Sequence, residues 1–301
     1  MATGGIVMAD FDNLKQDLSK KDENNSVFIM HLLSKEKLSM PPKEKMLEVL
    51  QKHLGDVLCF NYDEKSAGFS ANDYRVEVKE GNLPVVLLVM DSMPVDNFDI
   101  DALARSQMWD CPESAHILDE CKYHTVAVDM MAALLPGKER AKMDMDYMEA
   151  LTELYPECEA VYFQPSGKMF TRDKIANHRI PQENRFIYFA VNARFFNIQG
   201  TDSHIVDTLG MSLLGLPDLQ YHFHDFNPNF VVNHAYNVAS YLLNSENIIE
   251  NGDHIDGISE GKTDVNVRWK CHHESSLIQP VRPVIDIFMN EFAAGNRNYK
   301  E

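Results

Sequence analysis

The order of apolar and polar positions predicts strands and helices in short, irregular alternation. Residues 83–90 (LPVVLLVM) and 185–193 (RFIYFAVNA) are apolar at nearly every position, which is typical of a central strand covered on both faces. Residues 219–224 alternate instead, so that one face carries Leu219, Tyr221 and Phe223 and the other carries polar side chains. This segment therefore predicts a strand with one buried face.

Three stretches predict long helices. Residues 141–155 place Met148, Leu151 and Tyr155 on one side of a helix. Asn227 is a suitable N-cap for a helix with an apolar stripe that includes Val231 and Val238. A final helix is predicted from Pro283, a good first helical residue, to Gly295, with Val284, Ile285, Phe288 and Phe292 pointing inward.

This mixture of elements predicts an α+β fold, with mainly antiparallel mixed sheet or sheets and packed helices. At 301 residues the chain suits one large domain or two lobes. We assign residues 1–25 to a polar N-terminal arm, residues 26–140 to an N-terminal α+β lobe and residues 141–301 to a C-terminal α+β lobe. The boundary rests on the stretch from Pro136 to Met145.

Charge and cysteine content narrow the classes of function. The formal net charge of −18, with no long run of Lys or Arg, argues against nucleic acid and anionic lipid as partners. Five widely spaced cysteines without a metal-binding or redox spacing indicate a reduced, cytoplasmic protein. No secretion signal and no run of 18 apolar residues is present in the sequence.

The clearest candidate for chemistry is the His-x-His pattern of the alternating strand. His222 and His224 project from the same face, where two imidazoles can begin a divalent metal site. His234, on the following helix, is the candidate third ligand, with His204 and Asp202 as further candidates. The alternative interpretation is that the two histidines are only the polar face of a half-buried strand. No cofactor other than this metal is indicated, and no catalytic residue can be assigned.

Methionine is frequent, with 16 residues, several of them between Met130 and Met148. Its flexible side chain fills gaps in cores and also serves adaptable binding surfaces. We expect mainly core filling, with a partner-binding surface as the alternative.

The segment from Asp207 to Asp218 (DTLGMSLLGLPD) resembles bacterial proteins that carry domain of unknown function 4261. The similarity continues through residues 233–236 and 251–253 to the strand around Trp269, with weaker likeness at residues 160–163 and 185–188. The resemblance rests on turn residues and apolar strand positions, so it implies a shared fold. It implies no activity, ligand or catalytic residue.

We therefore expect a binding or regulatory module that contacts another protein. One alternative is a metal-dependent enzyme built on His222 and His224. The other is a nonenzymatic structural component that assembles through exposed strand edges. The oligomeric state does not follow from the sequence.

Overall fold

A computed structural model describes residues 27–79, 81–97, 99–245 and 248–295. The predicted N-terminal arm, residues 1–25, lies outside this part of the chain. Within the described residues the strands form two sheets, and the one parallel pair joins β11 (Asp218–His224) to β14 (Pro283–Phe288). The predicted α+β fold with mainly antiparallel mixed sheets and packed helices is confirmed.

The first sheet contains eight strands of the described chain. Their order is β2-β3-β4-β6-β1-β7-β8, and β5 pairs with β6 beside this path. The strands are β1 (Ile29–Ser34), β2 (Val57–Tyr62), β3 (Ser66–Val78), β4 (Gly81–Met90), β5 (Met93–Pro94), β6 (Tyr123–Met130), β7 (Ala160–Phe163) and β8 (Lys168–Thr171).

The second sheet contains six strands of the described chain, in the order β12-β13-β14-β11-β10-β9. In addition to β11 and β14 it includes β9 (Asn192–Asn197), β10 (Ser203–Leu209), β12 (His254–Ser259) and β13 (Lys262–Ser275). The predicted apolar face of residues 219–224 is found, with Leu219, Tyr221 and Phe223 buried. The polar face is half-buried at His222 and His224 but fully buried at Gln220, so β11 is covered more than the alternation predicted.

The longer helices lie between and beside the sheets, where they cover apolar faces. The helices are α1 (Lys43–Leu54), α2 (Ala102–Ser106), α3 (Ser114–Glu120), α4 (Gly137–Leu154), α5 (Arg172–Ala176), α6 (Arg185–Ala190) and α7 (Pro228–Asn244). Helix α4 contacts α1 beside the first sheet and α6 and α7 beside the second, so one core extends across both. No helix of the described chain is long and apolar enough to span a membrane.

For two segments the predicted secondary structure is wrong. Residues 185–190, predicted as part of a strand, form α6, and the Nζ of buried Lys168 binds the carbonyls of Tyr188 and Val191 at 2.6 and 2.8 Å. The Pro283 segment, predicted as a helix, is strand β14, which pairs with both β11 and β13. Both segments are short, continuous apolar runs, for which periodicity does not separate a buried helix from a buried strand.

The predicted change of lobe at residues 140 and 141 falls inside α4. Strands β7 and β8 follow this helix in sequence but pair with β1 and complete the first sheet. The chain therefore changes from the first sheet to the second after Thr171, with α5 and α6 between the two.

A buried ion pair joins the two sheets through α4. The Arg140 guanidinium, on α4, donates from Nε to Asp129 Oδ2 of β6 at 3.0 Å and from Nη1 to the carbonyl of Leu213, just after β10. Asp129 also accepts the backbone N–H of Phe28. Both side chains are almost fully buried, so a single arginine connects the first sheet, α4 and the second sheet.

A second carboxyl group, that of Asp144, lies one helical turn from Arg140, with Oδ2 at 3.6 Å from Nε. Complete burial, followed by the nearby Asp129 carboxylate, raises the pKa of Asp144 well above its usual range. Burial also raises the pKa of Asp129, but the Arg140 charge and the Phe28 N–H oppose that rise. Asp144 is therefore the carboxyl group that more readily holds a proton, and Asp129 is the partner that pairs with Arg140.

Replacing Asp129 or Asp144 by asparagine tests which of the two carboxyl groups balances the charge of Arg140. We expect Asp129→Asn to lower the free energy of unfolding by about 3 kcal/mol or more, because it removes the charge that faces buried Arg140. Asp144→Asn, which replaces the carboxyl group whose raised pKa favours the neutral form, should change it by less than about 1 kcal/mol. Urea unfolding at pH 7 measures both values, and equal losses would contradict the assignment.

Two buried histidines form a pair on the other face of the first sheet. His31 Nε2 lies 2.7 Å from Gln164 Oε1 and His31 Nδ1 lies 2.9 Å from His124 Nδ1. Because the amide oxygen only accepts, His31 carries its proton on Nε2, and His124 Nδ1 donates to His31. Burial, opposed by the Gln164 bond and assisted by His124, lowers the pKa of His31 to about 4.

This pair predicts a loss of stability in mild acid. In the unfolded chain His31 takes up a proton near pH 6.5, whereas in the folded chain it does so only near pH 4, so folding becomes less favourable between these values. The loss due to His31 should reach up to about 3 kcal/mol at pH 4. Urea unfolding from pH 7 to pH 4.5 should show a smaller loss for His31→Gln than for the original chain. The exposed control, His116→Gln, should match the original chain, and a His31→Gln curve that does the same would refute the prediction.

Candidate functional site

The predicted metal ligands do not come together. His222 and His224 lie on one face of β11, and His224 Nδ1 is 3.0 Å from Asp225 Oδ2. His234 lies on α7 and contacts Tyr221, which projects from the opposite face of the same strand. The sheet therefore separates His234 from the other two histidines.

His234 has both ring nitrogens engaged beneath α7. Its Nε2 donates to the backbone carbonyl of Asp256 at 2.8 Å, and its Nδ1 accepts from the Tyr221 hydroxyl, also at 2.8 Å. Burial lowers the pKa of His234, which favours this neutral form. Within the described residues no group of three or more His, Cys, Asp or Glu side chains has the arrangement needed to hold a metal ion.

The face that bears His222 continues into a buried network of charges. Arg194 binds Asp207 through Nε at 2.8 Å, and Arg282 bridges Asp207 and Asp218 at 2.9 and 3.0 Å. Asp218 also accepts from the Thr208 hydroxyl at 3.0 Å. All the carboxylates and guanidinium groups in this network are at least nine-tenths buried and paired with one another. The arrangement holds the strands of the second sheet in register.

A groove runs between α7 and β12 on the outside of the second sheet. It encloses about 820 Å³, and we call it the α7–β12 groove. Its helical side carries Val238 and Tyr241, and the exposed Ile248 stands at its rim. The other polar and apolar groups that line it are His234, Asn237, Ile249, Glu250, Asp253, His254, Ile255, Asp256, Thr263 and Arg268.

One cation lines this groove within the described chain, and it is already paired. Arg268 contacts the Asp256 carboxylate and also donates to the backbone carbonyl of His254. The Glu250 and Asp253 carboxylates face the same space. The groove is therefore net acidic beside an apolar wall.

A second surface is an uncovered apolar face of the first sheet. The core face of this sheet carries residues such as Phe69 and Leu87, so their neighbours along each strand project from the other side. The 99–121 segment, with α2 and α3, covers that other side near β1, β7 and β8. The remaining part, which we call the open face, carries Leu58, Phe60, Met90 and Met130 as exposed residues and Ile29, Val86, Leu88, Val126 and Val128 as half-buried ones.

At the β2 edge of the open face, side chains pack closely against β3. An added Cβ at Gly68 would lie only 2.6 Å from the Phe60 ring and 3.2 Å from Leu88, so the Phe60 ring lies directly over this glycine. Register places Gly68 beside Leu88 and Leu88 beside Val128. The apolar row therefore continues from β2 to the centre of the sheet.

Sequence patterns did not reveal either surface. Residues 83–90 are apolar throughout and were expected to be covered on both faces, yet Met90 is exposed and Leu88 half-buried. The short exposed alternation of Leu58 and Phe60 on β2 was the available signal. The groove depends on how α7 packs beside β12, a contact between segments distant in sequence.

Comparison with known proteins identifies one part of the chain. Residues 207–288 match the model described as "Domain of unknown function (DUF4261)". No curated protein and no solved structure is significantly similar to the chain. The match begins within β10 and ends with β14, so it includes α7 and the α7–β12 groove but not the open face. Residues 207–288 are therefore similar to the domain of unknown function 4261, and the first sheet lies outside the matched residues.

Proposed function

We propose that this protein is a binding module that holds a partner protein on the open face of its first sheet. The observation that carries the proposal is the exposure of large apolar side chains on a continuous sheet surface. Leu58 and Phe60 are 56% and 59% exposed, and Met90 and Met130 are 38% and 43% exposed. A contiguous apolar surface of this kind is typical of an interaction site.

The composition of the open face suits a protein surface. Beside the apolar residues of β2, β4 and β6, strand β3 contributes the uncharged residues Ser66, Gly68 and Ser70. The charged residues Arg75 and Glu77 lie further along β3, beyond its bulge. Burial of the exposed parts of Leu58 and Phe60 would stabilise a complex by about 1–2 kcal/mol each. Methionine side chains at positions 90 and 130 adapt to partner surfaces of different shape.

Net charge favours a different protein over a second copy. Each copy carries a formal charge of −18, so two copies repel one another. A less acidic partner avoids this repulsion and meets the same apolar face. All five cysteines are free thiols, which supports the proposal that the complex forms in the cytoplasm.

Site-specific photo-cross-linking in the source organism tests this proposal. A benzoylphenylalanine at position 60 should give an adduct with a distinct second protein. The same residue at Val265, which is 69% exposed on β13 of the other sheet, should not give it. Met130→Glu should remove the position-60 adduct, because a carboxylate then faces the apolar contact, whereas Val265→Glu should retain it.

Each outcome of the cross-linking experiment has its own interpretation. Circular dichroism and a thermal melt show whether each variant is folded. Adducts of the protein only with itself would favour the structural, self-assembling alternative. Identical adducts at positions 60 and 265, or an adduct unaffected by Met130→Glu in folded protein, would refute the open face as the binding site.

A further inference from the structure

We infer that the α7–β12 groove is a second, separate binding site, and that it takes a lysine- or arginine-bearing segment of a polypeptide. This site lies in the domain matched by the family model, on the other sheet from the open face. The inference does not depend on the function proposed for the open face. It rests on the shape of the groove, its apolar wall and its uncompensated carboxylates.

The groove has the dimensions of a ligand site. Its volume of about 820 Å³ falls within the range of roughly 300–1,000 Å³ that is usual for such sites. Its base is rigid, because His234 connects Tyr221 of the sheet to the backbone of β12 through two 2.8 Å hydrogen bonds. The Trp269 ring packs against His234 with ring centroids 5.1 Å apart.

The apolar wall fits the stem of a long side chain. Tyr241 on α7 is 46% exposed and Ile248, opposite the end of the helix, is 80% exposed. The methylene groups of lysine or arginine pack well on surfaces of this kind while the charged end stays hydrated. A cation beside the Tyr241 ring gains a further cation–π attraction.

The charges of the groove select a cation. Asp256 is neutralised by Arg268, so that pair attracts neither sign strongly. Glu250 and Asp253 remain as two carboxylates at the rim, and Asp253 Oδ2 is held in place by the Glu250 N–H at 2.8 Å. A basic side chain can reach these carboxylates from the apolar wall, whereas an acidic one meets like charge.

A bound peptide is expected to use its side chains more than strand pairing. In the register of β12 with β13, the His254 and Asp256 carbonyls point to the free edge of the sheet. Arg268 occupies the first and His234 occupies the second. This edge therefore offers an added strand few acceptors, and recognition falls to the groove side chains.

Fluorescence anisotropy with labelled model peptides tests the inference. We expect a peptide of alternating lysine and leucine to bind the full chain, and a matched glutamate and leucine peptide not to bind. Glu250→Lys combined with Asp253→Lys should weaken the lysine peptide at least tenfold. The control, Glu36→Lys with Glu113→Lys, makes the same change in net charge at exposed sites away from the groove and should leave the affinity within twofold.

The results distinguish specific binding of the lysine peptide in the groove from general attraction of a basic peptide to an acidic protein. Equal weakening by both double variants would overturn the inference, as would binding of the glutamate peptide. Tyr241→Ala should also weaken the lysine peptide, and unchanged affinity would contradict the role of the apolar wall. Displacement of the peptide by an equal concentration of spermidine would refute a polypeptide as the occupant. Met130→Glu, on the open face, should not alter the affinity for the lysine peptide, so the test of the groove is independent of the test of the open face.

Discussion

The buried guanidinium of Arg140 is the contact on which the arrangement of the two sheets depends. It lies on α4, pairs with Asp129 in the first sheet and donates to the carbonyl of Leu213 at the start of the matched domain. A buried charge is costly unless it is paired, so these three elements must assemble together. The raised pKa of Asp144 favours its neutral form, which adds no second negative charge beside Asp129. The helix thus places the first sheet and the family domain in a defined relation.

Buried pairs of arginine and aspartate also hold the strands of the second sheet in register. Arg194 and Arg282 hold Asp207 and Asp218 on the face that also bears His222 and His224. The polar positions of β11 are therefore one side of a largely buried layer, in which carboxylates meet arginines from β9 and the segment before β14. Asp207 and Asp218, which bound the segment that resembles the family, thus serve to pair with these arginines. His234 belongs to the other layer, beneath α7, where it joins Tyr221 to β12.

The two proposed binding surfaces differ in the physical basis of recognition. The open face is apolar and uncharged, so it gains affinity from desolvation and selects by shape. The α7–β12 groove combines an apolar wall with the Glu250 and Asp253 carboxylates, so it selects by charge as well. The surfaces lie on different sheets, and only the groove is within the matched domain. Taken together, the two proposals assign one partner protein to the first sheet and a basic segment to the second.

The sequence by itself determined the α+β class, the strand at residues 219–224 with its apolar face, the helix capped by Asn227 and the similarity to the family, because local periodicity and turn residues encode them. It did not determine the states of residues 185–190 and Pro283–Phe288, since short runs of apolar residues suit either a buried helix or a buried strand. Tertiary structure alone separated His234 from His222 and His224, paired Arg140 with Asp129 and left Leu58 and Phe60 uncovered. Each of these depends on which face of an element meets another, and that is decided by contacts between segments far apart in the chain.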